Sequence, residues 1–172
     1  MTIQRRRALL AFSTAGAATL LSSCSSAQHP GPEGDWDRLE EGDLLLAVPK
    51  NWDRSVAQSS IWGTKWTDPS DKSAVLMTAQ SVKAKDGYDA LDLAMNAARA
   101  VTRGYQPIGS RTAVTNGSII LAQQQYQITW PYQKKGSLWA ISRDSTIYLV
   151  DFSGEKITSD QISTVGQWIE LR

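Results

Sequence analysis

Apolar residues along this chain fall first into one mostly apolar, uncharged run, Ala8 to Leu21, and then into short separated groups. From Ser25 to about Gly42 the text SSAQHPGPEGDWDRLEEG is rich in Ser, Pro, Gly and charge and follows no period, the composition of a tether. Within it Trp36 and Leu39 are the residues able to pack on a following fold. Leu44-Leu45-Leu46-Ala47-Val48, stopped by Pro49, reads as a buried strand, and Lys50-Asn51-Trp52 as a turn whose tryptophan closes one end of the core. IWGTKWT (61–67) and SAVLMTAQSV (73–82) predict two strands joined by the polar connection Asp68-Pro69-Ser70-Asp71.

Between Asp86 and Thr102 the period changes. Leu91, Ala94, Met95, Ala98 and Val101 recur at spacings of three and four, which predicts an amphipathic helix. Asp86, Asp89 and Asp92 near its start and Arg99 and Arg103 near its end complement the helix dipole, and Gly104 suits a left-handed stop. Beyond it, turn signals at Asn116-Gly117, Lys134-Lys135-Gly136 and Asp144-Ser145 divide an expected antiparallel meander into segments of about 109–115, 118–132, 137–143 and 146–152. On the longest segment Ile120, Ala122, Tyr126, Ile128 and Trp130 should face the core, with Gln123, Gln125, Gln127 and Thr129 on a wet face. Thr158-Ser159-Asp160-Gln161 is a capping box, and Ile162, Val165 and Ile169, with Trp168 beside them, predict a helix that closes the chain.

The early apolar run carries a different message. Arg5, Arg6 and Arg7 lead it, small residues end it, and it is shorter than the roughly 20 apolar residues a membrane-spanning helix needs. That order is an export signal. Leu21-Ser22-Ser23-Cys24 resembles the lipobox of bacterial lipoproteins, in which the cysteine becomes the first mature residue and carries a diacylglyceryl thioether. The alternative is an ordinary cleavable signal with an incidental cysteine. Arg6-Arg7-Ala8-Leu9-Leu10 resembles a twin-arginine signal but lacks a clear Ser or Thr before the pair, so the general secretory and twin-arginine routes both fit. The expected organisation is a signal peptide at 1–23, a lipidated tether at 24–42 and one domain at 43–172, held by lipid chains on the outer face of the cytoplasmic membrane.

Loss of Arg5 to Arg7 with the signal changes 18 basic and 17 acidic residues into 15 and 17. At −2 the mature chain offers no basic face on average, which argues against nucleic acid as a partner. Cys24 is the single cysteine, so no disulfide is expected and the domain must be held by its core. Seven tryptophans supply large rings for that core and for surface contacts.

Catalytic and metal patterns are sparse. The single histidine, His29, sits in the expected tether, so the domain lacks a histidine base, and no Ser-x-x-Lys opens a predicted helix. Asp86, Asp89 and Asp92 are explained by their helix start, and Asp68 and Asp71 by their turn, where an oxygen-ligated cation wants six to eight ligands. No zinc, haem, dinucleotide or phosphate-loop spacing occurs, so neither metal nor cofactor is expected. Asn116-Gly117-Ser118 matches a glycosylation sequon, but its hairpin meaning is the stronger one. The remaining candidate is a polar and aromatic surface. Gln123 and Gln125 precede Tyr126, and Trp130-Pro131-Tyr132 stands beside Lys134 and Lys135, so Trp130, Tyr132, Lys134 and Lys135 are the expected rim of a partner site. Core burial of Trp130 and Trp139 is the competing reading.

Strand, Pro-x-x-Trp, two strands, helix, four-strand meander and terminal helix, in that order behind a lipobox, resemble the PsbP-like or Mog1-like fold, and most of all actinobacterial lipoproteins of the LpqN type. Val48 to Trp52, IWGTKWTDP, the helix around Leu91 to Val101, and Tyr148 to Phe152 followed by Ile162 to Ile169 carry the likeness. It implies an α+β sandwich, an antiparallel sheet flanked by helices, and a binding or assembly role without a shared catalytic set. The expectation is therefore a lipid-anchored, non-catalytic module for an envelope protein partner. The alternative is a carrier or sensor of a small apolar or sugar ligand held between sheet and helix, which requires an enclosed apolar pocket of about 300 Å³ or more and which a filled core would argue against. An enzyme is the third option, to be dropped if no buried carboxylate or lysine of shifted pKa lines a cleft.

Overall fold

A computed structural model describes residues 32–172. The signal residues Arg5, Arg6, Arg7, Leu21, Ser22 and Ser23, the lipidation site Cys24, and His29 lie outside them. Ten strands and two helices follow in the order β1 (Trp36–Glu41), β2 (Leu44–Pro49), β3 (Asp53–Val56), β4 (Thr64–Thr67), β5 (Val75–Ala79), α1 (Gly87–Val101), β6 (Tyr105–Asn116), β7 (Ile119–Ile128), β8 (Lys134–Arg143), β9 (Thr146–Gly154), α2 (Ser159–Gln167) and β10 (Glu170–Leu171). Two antiparallel sheets result, one of three strands ordered β1-β2-β10 and one of seven ordered β3-β4-β5-β9-β8-β7-β6.

Period-2 alternation divides the large sheet into two buried faces. Tyr148, Val150 and Phe152 of β9 join Trp139 and Ile141 of β8 in a core shared with Leu44, Leu46 and Val48 of β2 and with Ile162 and Val165 of α2. Ile147 and Leu149 join Leu138, Ala140, Ala122 and Tyr126 in a second core, covered by Ala90, Leu91, Ala94 and Met95 of α1. The large sheet thus lies between α1 on one side and the small sheet with α2 on the other. Small residues allow the close fit of α1: the Cα of Gly87 faces the methyls of Ala122 and Ala140.

The two helices start as expected. Asp86 caps α1 through the Asp89 amide at 2.9 Å. Thr158 and Gln161 form the reciprocal box at the start of α2, at 2.8 and 3.1 Å.

Several sequence expectations are corrected. Trp36 to Glu41, assigned to the tether ending at residue 42, form β1, a full-length partner of β2. Its Glu41 carboxylate accepts from Arg54 at 2.7 Å, Thr64 at 3.2 Å and Gln80 at 3.3 Å, tying the small sheet to the large one. Strand β3 was not expected, because all four of its residues are exposed and no alternation marks it. Lys134-Lys135-Gly136 is not a turn but the start of β8, and residues 129–133 make the connection instead. The Asn116-Gly117 hairpin exists with Gly117-Ser118 as its two-residue loop, and Gly117 alone takes positive φ, 60°, at the position where a type II′ turn asks for glycine. The chain ends not in a helix but in β10, which pairs with β2. Val101, expected on the buried stripe of α1, is 84% exposed because it lies past the last turn that the sheet covers.

Candidate functional site

The residues of the expected rim separate. Trp130 and Tyr132, in the connection between β7 and β8, are 55% and 65% exposed, whereas Trp139 is core. The Arg103 guanidinium, just beyond α1, lies over the Trp130 ring at 5.4 Å. It is held near by the turn at Gly104, whose carbonyl accepts from the Thr129 amide at 3.1 Å. Lys135 is exposed at the start of β8, while Lys134 is half-buried and donates to the Ser73 carbonyl at 3.3 Å. Gln123 and Gln125 do not belong to this rim. They face α2 and line a separate cleft with Leu121, Ser159 and Gly166, where the Gln123 amide donates to the Ser137 hydroxyl at 2.7 Å. Sequence reasoning missed Arg103 as a member of the rim, since its place near the helix end already explained its charge.

The other face of β7 departs from the simple alternation too. Ile120 and Trp130 are exposed, and Gln124, on the α1 face, is buried. A register shift between Ile108 and Thr112, around Gly109 at φ 67°, frees carbonyls of β6. The Gln124 amide donates to the Ile108 carbonyl at 3.0 Å and to the Gln125 carbonyl at 2.9 Å, so this glutamine stabilises a bulge.

On that same face, between α1 and the sheet, lies a cleft of about 630 Å³. Its helical wall is Ala94, Ala97, Ala98 and Val101, and its far side carries Ile61, Trp62 and Met77. Its floor is polar. Asp151 of β9, only 6% exposed, accepts a hydrogen bond from the Tyr126 hydroxyl at 2.7 Å, and the Tyr105 ring stacks on Tyr126 with centroids 4.6 Å apart. Burial pushes the Asp151 carboxyl up to about 7, against the opposing effects of the Tyr126 hydrogen bond and the Lys134 charge. Burial, reinforced by the nearby Asp151 carboxyl, likewise raises both tyrosine hydroxyls above their ordinary value.

The room between sheet and helix exceeds the volume set for the small-ligand alternative, but the cleft is open to solvent and its floor is polar, where that alternative asks for an enclosed apolar pocket. Asp151 is also a buried carboxylate of shifted pKa in a cleft, the feature set as the condition for considering an enzyme. Among the described residues no histidine, lysine, arginine or second carboxylate lines that cleft. The signal for this floor is present in the sequence as one charged residue inside the apolar strand TIYLVDFSG. Among the described residues no group of His, Cys, Asp and Glu side chains is placed to hold a metal, and no helix is long and apolar enough to cross a membrane.

Among solved structures, the solution structure of the cyanobacterial PsbP protein, CyanoP, from Synechocystis sp. PCC 6803 superposes with a TM-score of 0.63 at 14% identity, covering 88% of this chain and 99% of that one. The chain has the PsbP-like fold. LpqN of Mycobacterium tuberculosis, described as involved in cell envelope biogenesis, matches with a TM-score of 0.49 at 13% identity over 79% of this chain and 90% of its own. No family model matches the chain, and no curated protein matches it by sequence.

Proposed function

We propose that the protein is a lipid-anchored, non-catalytic binding module of the cell envelope, fastened through Cys24 to the outer face of the cytoplasmic membrane and working by contact with an envelope protein. The observation that carries this reading is the exposed trio Trp130, Tyr132 and Arg103. Rings of that size bring large contact area at low entropic cost, and Trp, Tyr and Arg are the residue types that dominate protein-binding hot spots. Lys135 adds a positive edge that favours a partner with acidic groups. The lipobox supports the anchoring: each methylene buried in the bilayer contributes about 0.8 kcal/mol, so two or more chains make a stable hold. A tethered domain then meets membrane-associated partners at high effective concentration, which is how a module without chemistry of its own gains from being anchored.

The experiment has two arms. Metabolic palmitate labelling should mark the wild-type protein and miss Cys24→Ala; equal labelling of both would remove the anchor from the proposal. Cross-linking in intact envelopes should yield a discrete protein adduct that Trp130→Ala with Tyr132→Ala reduces at least tenfold, while the melting temperature stays within about 2 °C because neither ring is core. A large loss of stability, or an undiminished adduct, would refute the rim.

A further inference from the structure

The Asp151 carboxyl presents an asymmetric pair of oxygens to the cleft beneath α1. Oδ1 accepts from Tyr126, whereas Oδ2 receives no hydrogen bond from a described residue and stays open to the cleft rather than sealed in the interior. No cationic side chain of the described residues lines the cleft or stands within ion-pair distance of this carboxylate. Lys134 acts on it only through space, its ammonium being held by the Ser73 carbonyl. Lys65 shares its row of the sheet two strands away, through Met77, without lining the cleft. Beside the carboxyl are two aromatic side chains, Tyr126 and Tyr105, with Trp62 across the cleft, and beyond them an apolar wall runs outward to the exposed Val101.

We propose that this cleft binds a small lipophilic amine, its ammonium group meeting the free oxygen of Asp151 among the aromatic rings and its apolar tail lying along Ala94, Ala97, Ala98 and Val101. A buried carboxylate with one open acceptor lacks the partner that charge at such a site demands, and an incoming cation supplies it. Aromatic faces attract ammonium groups electrostatically, more strongly where water is excluded. Anions are disfavoured by the same carboxylate, and neutral alcohols gain the tail contacts without the ion pair. The volume, about 630 Å³, holds a ligand of drug-like size. This site is separate from the aromatic rim and does not depend on it.

Titration calorimetry of the full chain at pH 8 with n-octylammonium, octanoate and octanol tests the proposal through three heads on one tail. Octylammonium is expected to bind at least tenfold more tightly than either of the others, and hexyl to octyl homologues to gain roughly threefold to fourfold per methylene. Asp151→Asn should erase the preference for the ammonium head. Ala98→Trp, which fills the wall without touching the carboxyl, should weaken octylammonium at least tenfold. Should Asp151→Asn fail to fold, the three heads on the unaltered protein still decide. Equal or tighter binding of octanoate or octanol, no octylammonium binding at millimolar concentration, or indifference to Ala98→Trp would each overturn the assignment. Trp130→Ala with Tyr132→Ala should leave octylammonium binding unchanged, so failure of this site and failure of the partner rim are read separately.

Discussion

Asp151 illustrates how one side chain can act on stability as well as on binding. Its carboxyl is raised from 3.8 to about 7 by burial, so the folded chain holds a proton that the unfolded chain has released between those values. Stability from this group is therefore complete below about pH 4, falls as pH rises toward 7, and levels off above it. Asp151→Asn removes the titration while keeping a group able to accept from Tyr126. Measured by denaturant unfolding, the variant should gain on the wild type across pH 4 to 8, by roughly 4 kcal/mol at most, and a flat difference would show that the carboxyl stays charged in the fold. The residue was legible in the sequence as a lone charge within an apolar strand, yet its partner was not. Tyr126 and Asp151 stand 25 positions apart and meet only because β8 lies between their strands.

Glycine at the start of β8 shows how an element can mislead a reader of sequence. Lys134-Lys135-Gly136 has turn composition, but Gly136 lies within a strand, where its missing side chain makes room for the Tyr126 ring. A Cβ there would stand 2.6 Å from the ring carbon bearing the hydroxyl and 2.8 Å from the Ser153 Cβ. Tyr126 cannot yield easily, being buried, stacked on Tyr105 and bonded to Asp151. Gly136→Ala is accordingly expected to lower stability by about 1–3 kcal/mol, seen as a reduced denaturant midpoint. By contrast, both helices were legible in advance, since a cap and a period of three to four are local features that packing did not need to override. The four-residue β3 and the two-residue β10 left no such trace. Each exists because a neighbouring strand offers an edge.

At the scale of the molecule, the small sheet depends on residues that composition assigns to a tether. β1 pairs with β2 from Trp36 to Glu41, Arg38 reaches Glu170 at 2.7 Å, Glu40 pairs with Arg172, and Glu41 gathers three donors from the large sheet. A chain beginning at Leu44 should lose roughly 3 kcal/mol or more relative to one beginning at Pro32, compared by denaturant midpoint, because β2 loses its ladder partner and the core loses the cover of Trp36 and Leu39. Equal midpoints would return 36–41 to the tether. The sequence by itself determined the buried strand at 44–48, the two capped helices and the meander, since each is written in contiguous residues whose period or composition has one physical reading. Only the tertiary structure decided that Trp130 stands outside while Trp139 is core, that Gln124 closes a bulge, and that a carboxyl and a phenol share the floor of a cleft. Those outcomes depend on which strands become neighbours, and strand pairing is a long-range choice made by burial that no local window contains.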